Sequence, residues 1–378
     1  MKRSLKQYST EIVFVMVTLL FIVLTSAEIL NPMNITAIFL QNSYTFILVA
    51  GMTICMTIKD NIDISVGSFV CFICSMGGVL MSVFKFGTAL TVMALFVLGI
   101  LWGLLAGYII AYFKIPAWIT TLGGYLAFRG LGLALINHFS NTGSIVGLNE
   151  SFLKIFSGKA FQTKITDFSY GSLLLCFLLA TLIVLYRHLS DKKEKNPITR
   201  KNIITYIIIY SISLIIGLAF ASTGGTPLSF LWMFLVVSIT AVWLDKTSEA
   251  RKLIMIGSNP ENARIAGIKT KRAILMTYVF MAVCAVLAAC IVLARYHASS
   301  SYAGINFEMD TIAACVIGGV SLKGGKQSII KAVLGAALIG VINLGLSLLG
   351  VDMNWQWIMK GLIILLAVGL DLYLNKKE

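Results

Sequence analysis

The chain has 378 residues, 58% of them hydrophobic and only 12% charged, where a soluble protein carries roughly a quarter charged residues. Lys and Arg outnumber Asp and Glu by 30 to 16, a formal net charge of +14. The composition excludes an ordinary soluble domain. Because the bases sit between apolar runs, they specify orientation in a membrane rather than a nucleic-acid surface.

The apolar runs repeatedly reach the roughly 20 residues that cross a hydrocarbon core. In chain order they predict spans at 11–30, 36–58, 66–84, 88–112, 117–136, 169–187, 202–220, 228–244 and 272–294. A short apolar piece at 310–320 follows, then spans at 328–349 and 355–374. If the short piece crosses as a re-entrant or broken helix buried against protein, both termini share one side. The short alternating segments of a β-barrel are absent. The expected fold is all-α: one polytopic membrane domain over 1–378, with about 10 to 12 transmembrane helices. The first run lacks a small-residue cleavage site and reads as a retained span rather than a signal peptide.

Loop charges orient the chain. Of the 30 Lys and Arg residues, all but Lys85, Arg129, Lys154, Lys159, Lys164, Arg295 and Lys360 fall on one side of this topology. That side is cytoplasmic by the positive-inside rule, which places both termini and the stretch 257–272 there. The cysteines all lie in apolar segments. "CFIC" (71–74) reads as helix packing rather than redox or zinc chemistry.

Chemistry of its own is hard to find. "GGVSLKGGKQS" (318–328) fails as a phosphate-binding loop, because Gln327 follows Lys326 and Val320 stands at the required glycine. No catalytic cluster or metal-ligand spacing appears, so no cofactor is expected. Ionisable residues at mid-span depth are few. Lys360 is the clearest, and its long stem lets it snorkel. A solute moved uphill would therefore need energy from another subunit. A lone secondary transporter and a membrane enzyme are the alternatives, and both want buried ionisable or catalytic groups. Trp118, Trp232, Trp355 and Trp357 read as interfacial belt residues.

Three stretches are punctuated differently. In "GSNPENARIAGI" (257–268), Asn259 can cap a helix, Pro260 fits its first position and Glu261 suits its positive end. Gly267 can close it in the left-handed conformation. Ala263, Ala266 and Gly267 form a small-residue surface flanked by Arg264 and Lys269. The element is either a solvated turn or a rigid docking peg. In "DNIDISVGS" (60–68), Asp63 and Ser65 can cap the incoming helix and Gly67 permits close backbone approach. That reads as a turn or as a gate. In 303–328, Glu308 and Asp310 form an external acidic pair ahead of Gly318 and Gly319. Such glycine density serves packing alone or broken helices lining a cavity.

Taken in order, "NIDISVGS", "IPAWITTLGGYLAFRG", "GSNPENARIAGI", "FEMDTIAACVIGGVSLKGG" and "WQWIMKGLIILLAVGLDLY" resemble the membrane permeases of bacterial ABC monosaccharide importers, essentially end to end. The segment 169–220, with its basic loop "RHLSDKKEKNPITRK", looks like an extra two-helix insertion relative to ribose-type permeases. It is similar to the longer xylose-type and multiple-monosaccharide permeases. Lys59 and Asp60 depart from the glycine-rich version of the first motif.

The resemblance implies an inner-membrane permease subunit, itself not an enzyme and without cofactor. Its partners would be an ABC ATPase that hydrolyses the ATP, an extracytoplasmic sugar-binding protein and a second permease copy, with no nucleic acid. It implies that residues 258–268 are the cytoplasmic coupling helix, carried by Asn259, Pro260, Glu261, Ala263, Arg264, Ala266 and Gly267. Asp63, Ser65, Gly67, Gly318 and Gly319 are candidates for the gate or pathway, and Glu308 and Asp310 for docking of the binding protein. A nucleoside or sugar-like signalling molecule is the alternative cargo within the same family.

Overall fold

The computed structural model describes residues 9–163, 168–193 and 200–375. Lys164 and residues 194–199 of the basic loop lie outside them. Among the described residues, fifteen α-helices follow one another. They are α1 (Ser9–Leu24), α2 (Pro32–Cys55), α3 (Val66–Ser82), α4 (Thr88–Tyr112), α5 (Ala117–Phe139), α6 (Glu150–Ser157), α7 (Tyr170–Lys193) and α8 (Arg200–Ser222). The rest are α9 (Leu228–Lys246), α10 (Ser248–Ser258), α11 (Pro260–Ile265), α12 (Thr270–Tyr296), α13 (Phe307–Ile317), α14 (Ile329–Leu348) and α15 (Met353–Asn375). Among the described residues, eight are long and apolar enough to cross a bilayer: α2, α4, α5, α7, α8, α9, α12 and α14.

Burial separates centre from rim. The apolar window of α2 is 78% buried, while those of α7 and α8 are 17% buried. Helices α12 and α14 pack on α2, and α1 closes over α14. The outward surfaces of α4, α5, α7 and α8 carry Leu, Ile and Phe side chains, as lipid-facing helices do. Helices α7 and α8 pair antiparallel along their length. The Tyr210 hydroxyl donates to Thr181 Oγ1 at 3.5 Å and the Ser213 hydroxyl to the Cys176 carbonyl at 2.7 Å.

One packing device went unread in the sequence. Gly99, Gly103 and Gly107, in "GILWGLLAG", recur every fourth residue on α4 and face α12. A Cβ on Gly103 would sit 2.6 Å from the Val279 Cα, and one on Gly107 2.7 Å from the Leu275 Cα. Two helices approach this closely only where small residues leave backbone against backbone.

The end of the bundle opposite α11 is closed by short strands. β1 (Ser144–Val146) pairs antiparallel with β4 (Ala298–Ser300), with Ile145 opposite Ser299. β2 (Lys159–Ala160) pairs with β3 (Thr226–Pro227). The Trp232 indole donates to the Ile155 carbonyl of α6 at 3.1 Å.

Candidate functional site

The stretch 56–65 links α2 to α3 and holds four buried polar side chains: Thr57, Asn61, Asp63 and Ser65. Asp63 Oδ1 accepts from the Ser65 amide at 2.9 Å and from the Ser65 hydroxyl at 2.6 Å. Ser65 stands at the start of α3 but makes no side-chain cap. The expected helix cap is therefore corrected: its hydroxyl is spent on Asp63, which closes an Asx turn just before the helix. Burial pushes the Asp63 carboxyl up to about 6, and the two hydrogen bonds from Ser65 oppose the shift.

Asn61, which sequence reading passed over, clamps this loop to two helices. Its amide donates to the Cys55 carbonyl and to Thr277 Oγ1, and its carbonyl oxygen accepts from the Tyr278 hydroxyl at 2.8 Å. Asp60 has φ +54, the left-handed region that Asp tolerates better than most residues and glycine adopts freely.

After α12 the chain turns at His297 and re-enters the bundle without helix. Ser299 lies against Gly78, near the far end of α3, and Gly304 against Gly67, at its start. At that second crossing the backbones touch. A Cβ on Gly304 would lie 1.9 Å from the Gly67 carbonyl oxygen, and one on Gly67 would lie 1.9 Å from Glu308 Oε2. Irregular backbone at membrane depth persists only where protein buries it. Here the Arg129 guanidinium of α5 donates to the Ala303 carbonyl at 2.9 Å. Helix α13 then starts inside the bundle, where Phe307 stacks on Tyr44 of α2 at 3.9 Å.

That placement corrects the docking assignment. Glu308 and Asp310 are only 2% and 7% exposed, so they offer no external face to a binding protein. Their position in the first turn of a helix that begins within the bundle takes them inside. Asp310 receives Lys360 of α15, whose Nζ lies 3.2 Å from Oδ2 and 3.3 Å from Oδ1. Lys360 thus pairs inward instead of snorkelling. The scarcity of buried carboxylates expected from sequence is also corrected, since Asp63, Glu308 and Asp310 are all buried. Glu308 Oε2 has no hydrogen-bond partner among the described residues.

Gly318 and Gly319 end α13 and turn the chain into α14. A Cβ on Gly318 would sit 2.8 Å from the Ala332 Cα, and Gly319 has φ +78. The loop that follows reaches the other glycine-marked stretches. The Gln327 amide donates to the Met56 carbonyl at 3.3 Å, the Gly325 amide to the Thr57 carbonyl at 2.9 Å, and the Asp60 amide to the Leu322 carbonyl at 3.3 Å. Gly257, at the end of α10, presses on the same Thr57 carbonyl, 1.9 Å from where its Cβ would be. So 56–60, 322–327 and the entry to α11 form one packed unit.

Helix α11 follows the grammar of its sequence. Asn259 Oδ1 accepts from the Glu261 and Asn262 amides at 3.0 Å each, and Pro260 takes the first position. At the other end the Gly267 amide donates to the Arg264 carbonyl and the Ile268 amide to the Ala263 carbonyl, both at 3.0 Å. With Gly267 at φ +76 this is a Schellman closure. Glu261, Arg264, Ala266 and Gly267 are exposed. Ala263 is fully buried, so it seats the helix on the bundle and contributes nothing to a docking surface. The residue missed was Ile265, an apolar side chain 85% exposed. Its position in an otherwise polar helix was the available signal.

The chain is similar to known transport permeases over nearly its whole length. Residues 34–368 match the family described as the permease component of branched-chain amino acid transport systems. The xylose transport system permease protein of Haemophilus influenzae is 32% identical over 99% of this chain and 98% of its own length. The galactose/methyl galactoside import permease of Escherichia coli is 26% identical over 98% and 96%. The ribose import permease of Bacillus subtilis is 41% identical over 39% of this chain and 46% of its own. No solved structure matches. The chain is a multi-pass membrane protein and belongs to this family of transport-system permeases, together with the sugar-import permeases.

Proposed function

We propose that the chain is the membrane-spanning subunit of an ATP-driven monosaccharide importer of the bacterial inner membrane, with a xylose-like pentose or related hexose as cargo. End-to-end similarity to the xylose and galactose permeases supports the class of cargo. ATP hydrolysis belongs to a separate ATPase subunit, an extracytoplasmic binding protein delivers the sugar, and two permease copies form the path. The helix pair α7–α8 is an insertion relative to ribose-type permeases. Both termini lie on the cytoplasmic side with α11.

Helix α11 is the coupling element. One observation carries this: a rigid, doubly closed helix projects Ile265, and Gly257, two residues before its cap, bears directly on the Thr57 carbonyl. Thr57 in turn holds the Gly325 amide. A push on α11 by a partner therefore reaches, without slack, the loop ahead of Asp63 and the loop behind Gly318 and Gly319. Those two loops flank the Gly67–Gly304 crossing and α13, which form the gate. Packed cores transmit displacement where flexible loops absorb it.

The test is copurification of the permease with its cognate ATPase and binding protein, followed by uptake of labelled monosaccharides into vesicles. Uptake of a pentose or hexose that requires ATP inside and the binding protein outside supports the reading. Uptake driven by an ion gradient without the ATPase would refute it. A nucleoside taken up in preference to every sugar would move the cargo to the alternative class.

A further inference from the structure

Beside α11 lies a cavity of about 670 Å³ that the transport reading does not use. Ile239 and Trp243 of α9 and Met276 and Phe280 of α12 form its apolar walls, and Ala266 and Gly267 line it beside α11. Ile239 and Met276 are more than half exposed, so it opens on the outward faces of two spanning helices.

Its charged groups are confined to the mouth, and the one polar side chain deeper in the lining, Thr277, is engaged with Asn61 and the Ile274 carbonyl. Lys252 lies 2.6 Å from Glu249, so those two charges offset each other. Lys269 and Arg272 also line the mouth, are exposed, and make no ion pair among the described residues. The mouth is thus net cationic. From Arg272 to Phe280, eight residues of helix rise about 12 Å, close to half of a hydrocarbon core roughly 30 Å thick. An apolar slot one leaflet deep, cationic at the surface and open sideways, has the polarity of an anionic phospholipid. Basic pockets between spanning helices at this level recognise lipid phosphates.

We propose that this cavity holds one anionic phospholipid of the cytoplasmic leaflet. An acyl chain lies between Trp243 and Phe280, and the phosphate rests on Lys269 and Arg272. Because Ala266 and Gly267 are part of the wall, the lipid braces the foot of α11. The assignment to the cytoplasmic leaflet rests on the orientation given under Proposed function; the binding chemistry does not.

The test is native mass spectrometry of the full-length permease in detergent, titrated with phosphatidylglycerol, with phosphatidylcholine of the same chains, or with inorganic phosphate. Each cation is worth roughly five-fold in affinity at a membrane surface. Phosphatidylglycerol is therefore expected to be retained on the order of ten-fold or more over phosphatidylcholine. Lys269→Gln with Arg272→Gln should bring that ratio near one. Ile239→Trp, which narrows the slot and leaves both cations, should reduce retention of both lipids. Equal retention of the two lipids by the wild type, or a preference that survives the double substitution, overturns the proposal. So does displacement of the lipid by millimolar inorganic phosphate, which would make this a free-anion site. No ATPase or sugar is present, so failure of the transport reading leaves these outcomes unchanged. Repeated with the permease–ATPase assembly, the lipid should remain; its release would assign the cavity to the subunit interface instead.

Discussion

Lys360 of α15 and Asp310 of α13 form an ion pair inside the bundle, Nζ to Oδ2 3.2 Å, with 15% and 10% of their side chains exposed. It ties the last helix to one that begins within the bundle. Removing one partner strands the other charge, and for buried pairs that costs about 3–5 kcal/mol. Lys360→Met and Asp310→Asn should each lower the unfolding temperature of the purified permease. The double variant should recover most of the loss. Additive losses in the double variant would show that the pair is not coupled.

The Gly67–Gly304 crossing has no room for a methyl group on either side. Gly67→Ala and Gly304→Ala should each separate α3 from the re-entrant segment, at a cost of about 1–3 kcal/mol from overpacking. Gly304 also has φ +74, which adds strain for any residue with a Cβ. Sugar uptake should fall steeply in both. Normal uptake by either, at equal protein in the membrane, would remove this crossing from the gate.

The glycine row on α4 gives a comparison within one protein. Gly103→Val should separate α4 from α12 and destabilise by about 1–3 kcal/mol. Gly123 on α5 has nothing within contact of an added Cβ, so Gly123→Ala should be neutral or stabilise by up to about 1 kcal/mol. Thermal unfolding in detergent separates the two.

Asp63 gives a pH dependence with a fixed sign. Its folded-state value of about 6 lies above the ordinary 3.8, so the protonated form is the one the fold prefers. The stability this contributes is complete below the ordinary value and is lost as pH rises through about 6. Asp63→Asn keeps the acceptor for Ser65 and stays neutral. It should exceed the wild type at pH 8 by on the order of 3 kcal/mol and converge with it near pH 4. A difference independent of pH would contradict the assignment.

Most of the helical architecture is legible in the sequence, because spans are long apolar runs and α11 is written in local cap residues. Asn259, Pro260 and Gly267 act through atoms a few positions away, so their geometry follows from their order. Glu308 and Asp310 do not yield to that logic. Their depth depends on the ten non-helical residues after α12 turning back beside α3, a tertiary fact fixed by Gly67, Gly78 and Arg129 on other helices. Lys360 is misread for the same reason, since its partner is fifty positions away. Ala263 and Ile265 show the limit of reading a helix as a surface. Which side faces the bundle is set by what the bundle presents, and here the alanine goes in and the isoleucine goes out.

The central claim is that α11 carries the partner's motion into the pathway. It is tested most directly by ATP-driven monosaccharide uptake in vesicles bearing Arg264→Glu, Ile265→Glu or Gly267→Trp, with insertion and unfolding temperature measured alongside. The account predicts that Arg264→Glu and Ile265→Glu insert and unfold like the wild type while uptake falls by about ten-fold or more, the loss of a contact worth at least about 1.4 kcal/mol. Gly267→Trp, strained at φ +76, should lose uptake as well. Wild-type uptake by Arg264→Glu and Ile265→Glu at equal protein would contradict it.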